Sequence, residues 1–209
     1  LLVIDELNRG DVARILGELV TLLEVDKRGP EYARRRMLSG RPLWLPRNLY
    51  VLGTMNTADK SVSLMDVAVR RRFLFIHTPP RSDLIHEKRG VLEWARAGDR
   101  EVKLGRVLDA LNRRLLDCGV LADRLLGHGL LWIERKTLPE DDVLQAVADR
   151  FRYAILPLIE EYCFADRSQM KRVLGMLVTQ HGGPEESVFD SPLEFVKALE
   201  ALVAGDGSA

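Results

Sequence analysis

The first six residues constrain the fold of this chain more than any other stretch. Residues 1–4 are apolar and run directly into two carboxylates, Asp5 and Glu6. An unbroken Leu/Val/Ile run bounded by polar residues is typical of a parallel strand that is buried on both faces. Ligands of parallel α/β sheets bind at the carboxyl ends of the strands, where Asp5 would suit Mg²⁺ and Glu6 would polarise an attacking water. The alternative is that both acids simply open a turn.

A second apolar run, residues 49–55, stops at a polar side chain in the same way, here Asn56. If this strand lies beside the first, Asn56 and Glu6 emerge at one edge of the sheet. An amide at that position can hydrogen-bond a water or a phosphate oxygen. Alternatively, Asn56 and Asp59 form an Asx-type turn and nothing more.

The remaining periodicities predict an α/β part followed by an all-helical part. In the first part we expect a helix over 11–27, a hairpin turn at 39–42 that ends near Trp44, a short helix over 63–71 and a third strand over 73–76. Strands should stop near residue 77. The helices expected after that point cover residues 82–97, 102–118, 139–162 with a break at Pro157, 169–178 and 192–203.

Composition excludes several classes of protein. Lys+Arg and Asp+Glu both number 31, so no net charge draws the chain to nucleic acid or to a membrane surface. The longest apolar runs are too short to span a membrane. Two cysteines, Cys118 and Cys163, and no signal-like N-terminus favour a reducing cytoplasm. The chain starts inside a strand pattern without Met, so we expect it to be a fragment.

The order and spacing of several motifs resemble the McrB family, the AAA+ motor subunits of modification-dependent restriction systems, in the dynein-related and MoxR-like branch. The resemblance covers residues 1–80, and a weaker one, at residues 127–129 and 155–162, is to the family's helical lid. It implies a partial AAA+ α/β core over 1–80, lid and C-terminal helices over 81–204 and a disordered tail over 205–209. The motifs that carry it are Ile4-Asp5-Glu6-Leu7-Asn8-Arg9, Gly17-Glu18-Leu19, Asp26-Lys27-Arg28, Pro46-Arg47-Asn48-Leu49, Gly53-Thr54-Met55-Asn56-Thr57-Ala58-Asp59-Lys60-Ser61 and Arg70-Arg71-Arg72-Phe73.

The resemblance implies a role for each acidic or amide residue at the predicted sheet edge. Asp5 matches the Walker B aspartate that holds Mg²⁺, and Glu6 matches the catalytic glutamate. Asn56 matches the sensor I residue at the γ-phosphate. Asp59 belongs with Asn56 to a signature loop that positions the attacking water and responds to the McrC partner. Lys60 stands where an arginine is common, which keeps the charge without the planar fork.

Basic residues take the remaining implied roles. Arg71 and Arg72 match tandem arginines that reach nucleotide, at least one of them acting as a finger into a neighbouring subunit's site. Asn8 and Arg9 match a pair near the subunit interface, and Arg70 is expected at that interface too. His128 would lie in the lid near the base or the ribose.

The sequence departs from the family in one respect: its 209 residues contain no Gly-x-x-x-x-Gly-Lys-Ser/Thr motif. Backbone N–H groups and a lysine of that loop normally cradle the phosphates. We therefore expect these residues alone neither to bind nor to hydrolyse nucleotide measurably.

The function implied for the full-length protein is hydrolysis of GTP or ATP with Mg²⁺ in a homo-oligomeric, hexameric ring. Hydrolysis would drive DNA translocation and restriction with a McrC-like nuclease, any DNA contact being indirect or through other domains. One alternative is a MoxR-like chaperone ATPase that remodels proteins. The other is an AAA+-derived interaction domain that does not hydrolyse nucleotide.

Overall fold

The structure, a computed structural model, describes residues 1–35, 42–56, 66–139 and 142–205, with the backbone alone for Glu18, Arg34, Arg35 and Thr137. It divides into two compact units, Leu1–His77 and Thr78–Ala209. The first contains a small parallel sheet and the second is mostly helical. This confirms the predicted fold class, α/β followed by α.

The first unit is built around two short parallel strands. Its elements in chain order are β1 Leu2–Ile4, α1 Val12–Leu16, β2 Arg34–Arg35, β3 Pro42–Leu43, β4 Val51–Gly53 and α2 Val67–Arg70. Strands β1 and β4 pair in parallel, and β2 and β3 pair antiparallel. The predicted hairpin ending near Trp44 is therefore confirmed, while its turn lies outside the described residues.

Two predictions for the strands of this unit are wrong. Strand β1 is not buried on both faces, because Leu2 and Val3 are 46% and 56% exposed and no described layer covers them. Residues 73–76 form no strand, because no strand among the described residues pairs with them to take up their backbone N–H and C=O groups. Leu74 and Ile76 are accordingly 96% and 84% exposed.

The single helix predicted over 11–27 is also wrong in its continuity. Helix α1 ends after five residues at Gly17, whose φ of 50° leaves the helical region, and the chain continues as 3₁₀ turns over Gly17–Leu23 and Val25–Lys27. Glycine adopts this backbone at no steric cost, so the apolar spacing continues while the α-helix stops. Val12 and Val20 still face a small core with Val69 of α2.

The second unit holds the main hydrophobic core. Its elements are β5 Trp94–Ala97, β6 Arg100–Lys103, α3 Leu104–Asp117, α4 Val143–Arg150, α5 Leu156–Tyr162, α6 Arg167–Leu174, α7 Glu186–Phe189 and α8 Pro192–Ala204. Leu104, Leu108, Leu111 and Leu115 of α3 are buried along one face at helical spacing, as predicted. Phe195 of α8 lies in the same core.

Residues 82–97 are not a helix, and strands do not stop near residue 77. Short 3₁₀ turns, Ser82–Leu84 and Glu87–Arg89, precede a hairpin in which β5 pairs antiparallel with β6. Ala97 faces Arg100, so Gly98 and Asp99 form a two-residue turn, with Gly98 at φ 60°. A glycine in such a turn with alternating burial on either side is a hairpin signal. The buried residues of this alternation are Ala95 and Val102.

Pro157 marks the predicted break. Helices α4 and α5 are joined by one π-helical turn, Phe151–Ile155, and Pro157 lies in the first turn of α5. Proline has no N–H to donate to the preceding turn, and a π turn accommodates that loss without ending the helical path.

Arg114 joins three helices of the second unit through its guanidinium group. From α3 it donates to the carbonyls of Arg172 and Val173 at 3.3 and 3.4 Å in the last turn of α6. It also donates to Ala201 and Leu202 at 3.4 and 2.8 Å in the last turn of α8. The last carbonyls of a helix have no partner within it, and a cation there also complements the helix dipole.

We predict that Arg114→Met lowers the free energy of unfolding of the second unit by about 2–3 kcal/mol, the size expected for hydrogen bonds to a charged group. Urea unfolding of the protein measures this. Arg150→Met, which removes an exposed arginine from α4, is the matched control and should change the value by about 0.5 kcal/mol or less. Equal effects of the two variants would contradict the role given to Arg114.

Candidate functional site

The pairing of β1 with β4 places both predicted polar strand ends at one edge. Leu2 faces Val51, Val3 faces Leu52 and Ile4 faces Gly53. Because the strands are parallel, the residues after Ile4 and after Gly53 leave the sheet on the same side. Asp5, Glu6 and Asn56 are therefore neighbours at the carboxyl edge, and all three are exposed.

Thr54 connects the two strands at this edge. Its backbone N–H donates to the carbonyl of Ile4 at 3.0 Å, and its carbonyl accepts from the N–H of Leu7 at 2.8 Å. Its hydroxyl donates to Asp5 Oδ1 and accepts from the backbone N–H of Glu6 at 2.9 Å. One residue thus holds four successive residues of the acidic motif. No pattern among neighbouring residues predicts this contact, apart from the position of Thr54 at a strand end.

Glu6 occupies an unusual backbone conformation. Its φ of 52° and ψ of 46° lie in the left-handed region, which residues other than glycine rarely adopt. Its carboxylate forms an ion pair with Arg9 Nε at 2.8 Å, and the two side chains are 47% and 68% exposed. Such an exposed pair contributes little free energy, so Glu6 can exchange Arg9 for another partner.

Asn8 lies inside the first unit rather than on its surface. It is 8% exposed, and its Nδ2 donates to the backbone carbonyl of Asn56 at 3.0 Å. This bond joins the acidic motif to the chain beyond β4, two residues further along than the Thr54 contacts. Of the three residues expected near a subunit interface, Arg9 and Arg70 are exposed and Asn8 is not.

The three consecutive arginines have different surroundings. Arg70 lies over the ring of Phe75, 5.1 Å from its centroid, and Arg71 is exposed at the end of α2. Arg72 is 7% exposed, pairs with Glu24 at 2.7 Å and donates to the carbonyl of Ala68. Arg72 therefore braces the first unit internally, whereas Arg71 projects from it.

A buried arginine that the sequence did not reveal supports the start of β4. Arg28 is 8% exposed and donates to the carbonyls of Leu23 and Leu49, the former at 2.7 Å. It links the 3₁₀ segment after α1 to the residues that lead into β4. The sequence shows Arg28 only as part of a basic stretch, with no indication of its carbonyl partners.

The other predicted site residues belong to the second unit or lie outside the described residues. His128 belongs to the second unit, where its Nδ1 accepts from the N–H of Arg81 at 3.2 Å and its ring meets Trp132 edge-on at 6.4 Å. Asp59 and Lys60 lie outside the described residues.

The carboxylates at this edge are possible ligands for Mg²⁺. Among the described residues, no group of three or more His, Cys, Asp or Glu side chains is arranged to hold a metal ion. Mg²⁺, however, is usually held by one or two carboxylates together with substrate phosphates and water. Asp5 supplies one such exposed carboxylate, oriented by Thr54, so the residues present fit a magnesium ion that nucleotide helps to hold.

Two protein-family models match the chain. The AAA domain of the dynein-related subfamily matches residues 1–73, and the alpha-helical lid domain of McrB matches residues 103–171. The first match contains the sheet edge and the second contains His128. No helix in the described ranges is long and apolar enough to cross a membrane.

Two curated relatives are similar to the chain. The type IV methyl-directed restriction enzyme EcoKMcrB subunit of Escherichia coli K12 is 30% identical over 171 residues, which cover 78% of this chain and 37% of the relative. The type II restriction enzyme BsuMI component YdiS of Bacillus subtilis 168 is 27% identical over 144 residues, covering 61% and 40%. The chain thus spans about two fifths of each relative's length.

The contacts of Glu24 with Lys27 and Arg72 make the free energy of unfolding depend on pH. The hydrogen bond from Lys27 holds the pKa of Glu24 below its ordinary value of 4.5; burial opposes this effect, and the charges of Lys27 and Arg72 add to it. A carboxylate with a lowered folded-state pKa stabilises the fold above its unfolded pKa and loses this effect as pH falls through the folded value.

We therefore predict that Glu24→Gln lowers the urea midpoint by a constant amount from pH 7 down to about 5. The difference from the unsubstituted protein should shrink below pH 4.5. When Arg72→Met is also present, the decrease in urea midpoint that Glu24→Gln causes should be smaller at every pH. A difference that grows as the pH falls would contradict the assignment.

Proposed function

Since the chain is a McrB-like AAA+ protein, we propose that it forms the acidic edge of a nucleoside triphosphatase site and the lid that follows it. The observation that carries the proposal is the parallel pairing of β1 with β4, which brings Asp5, Glu6 and Asn56 to one edge. This is the edge at which ligands of parallel α/β sheets bind. The match to an AAA domain over residues 1–73 supports the same assignment.

The three edge residues divide the chemistry among them. Asp5 would hold Mg²⁺, which neutralises phosphate charge when it is bound. Glu6 polarises the attacking water as a general base, because its carboxylate is exposed and its ion pair with Arg9 is weak. Asn56 donates from its amide toward the γ-phosphate. Asp59 is proposed to act with Asn56 in positioning water.

The surroundings of the arginines support Arg71 as the residue that reaches a neighbouring subunit. A finger that stabilises transition-state charge in trans must project from its own subunit. Arg71 is exposed, whereas the Arg72 side chain is 7% exposed and engaged with Glu24. We assign the trans role to Arg71 and a bracing role to Arg72. Arg9 and Arg70 are exposed, as Arg71 is.

The biological setting proposed is restriction. Both relatives are components of restriction enzymes by name, and the lid match is to McrB. We propose that a homo-oligomeric ring of the full-length protein hydrolyses GTP or ATP and drives DNA translocation through a McrC-like nuclease partner. The McrB-type lid favours this over a protein-remodelling chaperone. We also predict a cytoplasmic location, a position of His128 near the base or the ribose, and no activity of the isolated chain.

In the full-length protein, Glu6→Gln should lower turnover at least about a hundredfold, the lower range for loss of a general base, because the amide cannot accept a proton. Nucleotide binding and assembly should persist, as fluorescence titration and mass photometry would show. Glu160→Gln, an exposed change on α5, is the matched control and should turn over normally. Turnover by Glu6→Gln at the control rate would remove Glu6 from the general-base role.

Arg71→Ala should also lose turnover while its melting temperature stays within about 1 °C, because an exposed side chain contributes little to stability. In rings mixed from Arg71→Ala and Glu6→Gln subunits, some interfaces combine an intact Glu6 with an intact Arg71. Partial recovery of activity is therefore expected. If mixed rings form, by mass photometry, and recover nothing, Arg71 does not act in trans.

A further inference from the structure

We infer that Thr54 is the positioning residue of the catalytic edge, setting the orientation of both Asp5 and Glu6 through its hydroxyl group. The inference rests on the proposed function, since it concerns the residues that act in hydrolysis. It adds to that site a residue that directly follows β4 and is not proposed to contact nucleotide.

The hydroxyl of Thr54 bonds to both acidic residues at once. It donates its single proton to Asp5 Oδ1, and its oxygen accepts from the backbone N–H of Glu6 at 2.9 Å. Donor and acceptor therefore form one chain, from the Glu6 N–H through the hydroxyl to the Asp5 carboxylate. Hydrogen bonds in such a chain polarise and strengthen one another.

The Glu6 backbone needs such a restraint. Its φ of 52° is in the left-handed region, and a residue with a side chain persists there only where its surroundings hold it. The N–H groups of both Glu6 and Leu7 are bound by Thr54, one through the hydroxyl and one through the carbonyl at 2.8 Å. The two peptide groups that flank Glu6 are thus anchored to a single residue, which directly follows the neighbouring strand.

Only the hydroxyl contacts depend on the identity of residue 54. Any residue other than proline would supply the backbone bonds to Ile4 and Leu7, because these use main-chain groups alone. Valine has the same branched shape but neither donates nor accepts at Cβ. Serine keeps the hydroxyl and loses a methyl group. Thr54 is exposed, so neither change disturbs a buried core.

The test uses the full-length protein with Thr54→Val and Thr54→Ser, measured for kcat, KM and thermal unfolding. Thr54→Val should lower kcat about tenfold or more with KM changed less than about twofold, since misplaced reacting groups slow the chemical step. Its melting temperature should stay within about 2 °C, as expected for an exposed site. Thr54→Ser should retain kcat within about threefold of the unsubstituted protein.

Two further readouts separate positioning from a merely structural role. Amide hydrogen exchange at Glu6, whose N–H the hydroxyl binds, should become faster in Thr54→Val and stay at the unsubstituted rate in Thr54→Ser. In a Glu6→Gln background, adding Thr54→Val should lower kcat by a smaller factor than it does in the unsubstituted protein, because part of the Thr54 effect acts through Glu6. Independent, multiplicative losses would overturn the inference.

The outcomes distinguish the inference from the proposed function. If Glu6→Gln abolishes turnover while Thr54→Val has normal kcat, the positioning role is wrong and the proposed function stands. Equal losses in the valine and serine variants would also overturn the role, because the hydroxyl would not be responsible. If Glu6→Gln itself turns over normally, the proposed function fails and the inference fails with it.

Discussion

The parallel hydrogen bonding between β1 and β4 is the interaction on which the candidate site depends. Three residues of each strand pair, with Ile4 opposite Gly53, and this register places Asp5 and Glu6 beside Thr54. Side chains alternate between the faces of a strand, so a shift of one residue would turn each carboxylate to the other face. Asn8 reinforces the register by binding the carbonyl of Asn56 at 3.0 Å.

What the sequence revealed was determined by local patterns. Apolar runs ending in Asp5 and Asn56, the face of α3 and the break at Pro157 are all visible within a few consecutive residues. Over residues 82–97 the imperfect helical spacing of the apolar residues predicts a helix, whereas the turn at Gly98-Asp99 favours the hairpin that β5 forms with β6. Gly17 ended α1 within an apolar spacing that continued beyond it, so periodicity alone did not show the change.

What the sequence concealed is long-range. Thr54 meets the acidic motif across 48 and 49 positions, and Arg114 meets α6 and α8 across 58 to 88. Neither side chain differs from an ordinary surface residue until the chain is folded. The same holds for Arg71 and Arg72, which are identical in the sequence. Their different exposure follows from which way each points at the end of α2 and from the position of Glu24.

The most direct test of the account is a structure of the full-length protein with Mg²⁺ and a non-hydrolysable GTP or ATP analogue. We expect the γ-phosphate at the carboxyl edge of β1 and β4. Glu6 should lie within about 3 Å of a water that faces the γ-phosphate, which is the reach of a general base. Thr54 should still bind both Asp5 and the Glu6 N–H. A nucleotide bound elsewhere, with Asp5, Glu6 and Asn56 all facing solvent, would contradict it.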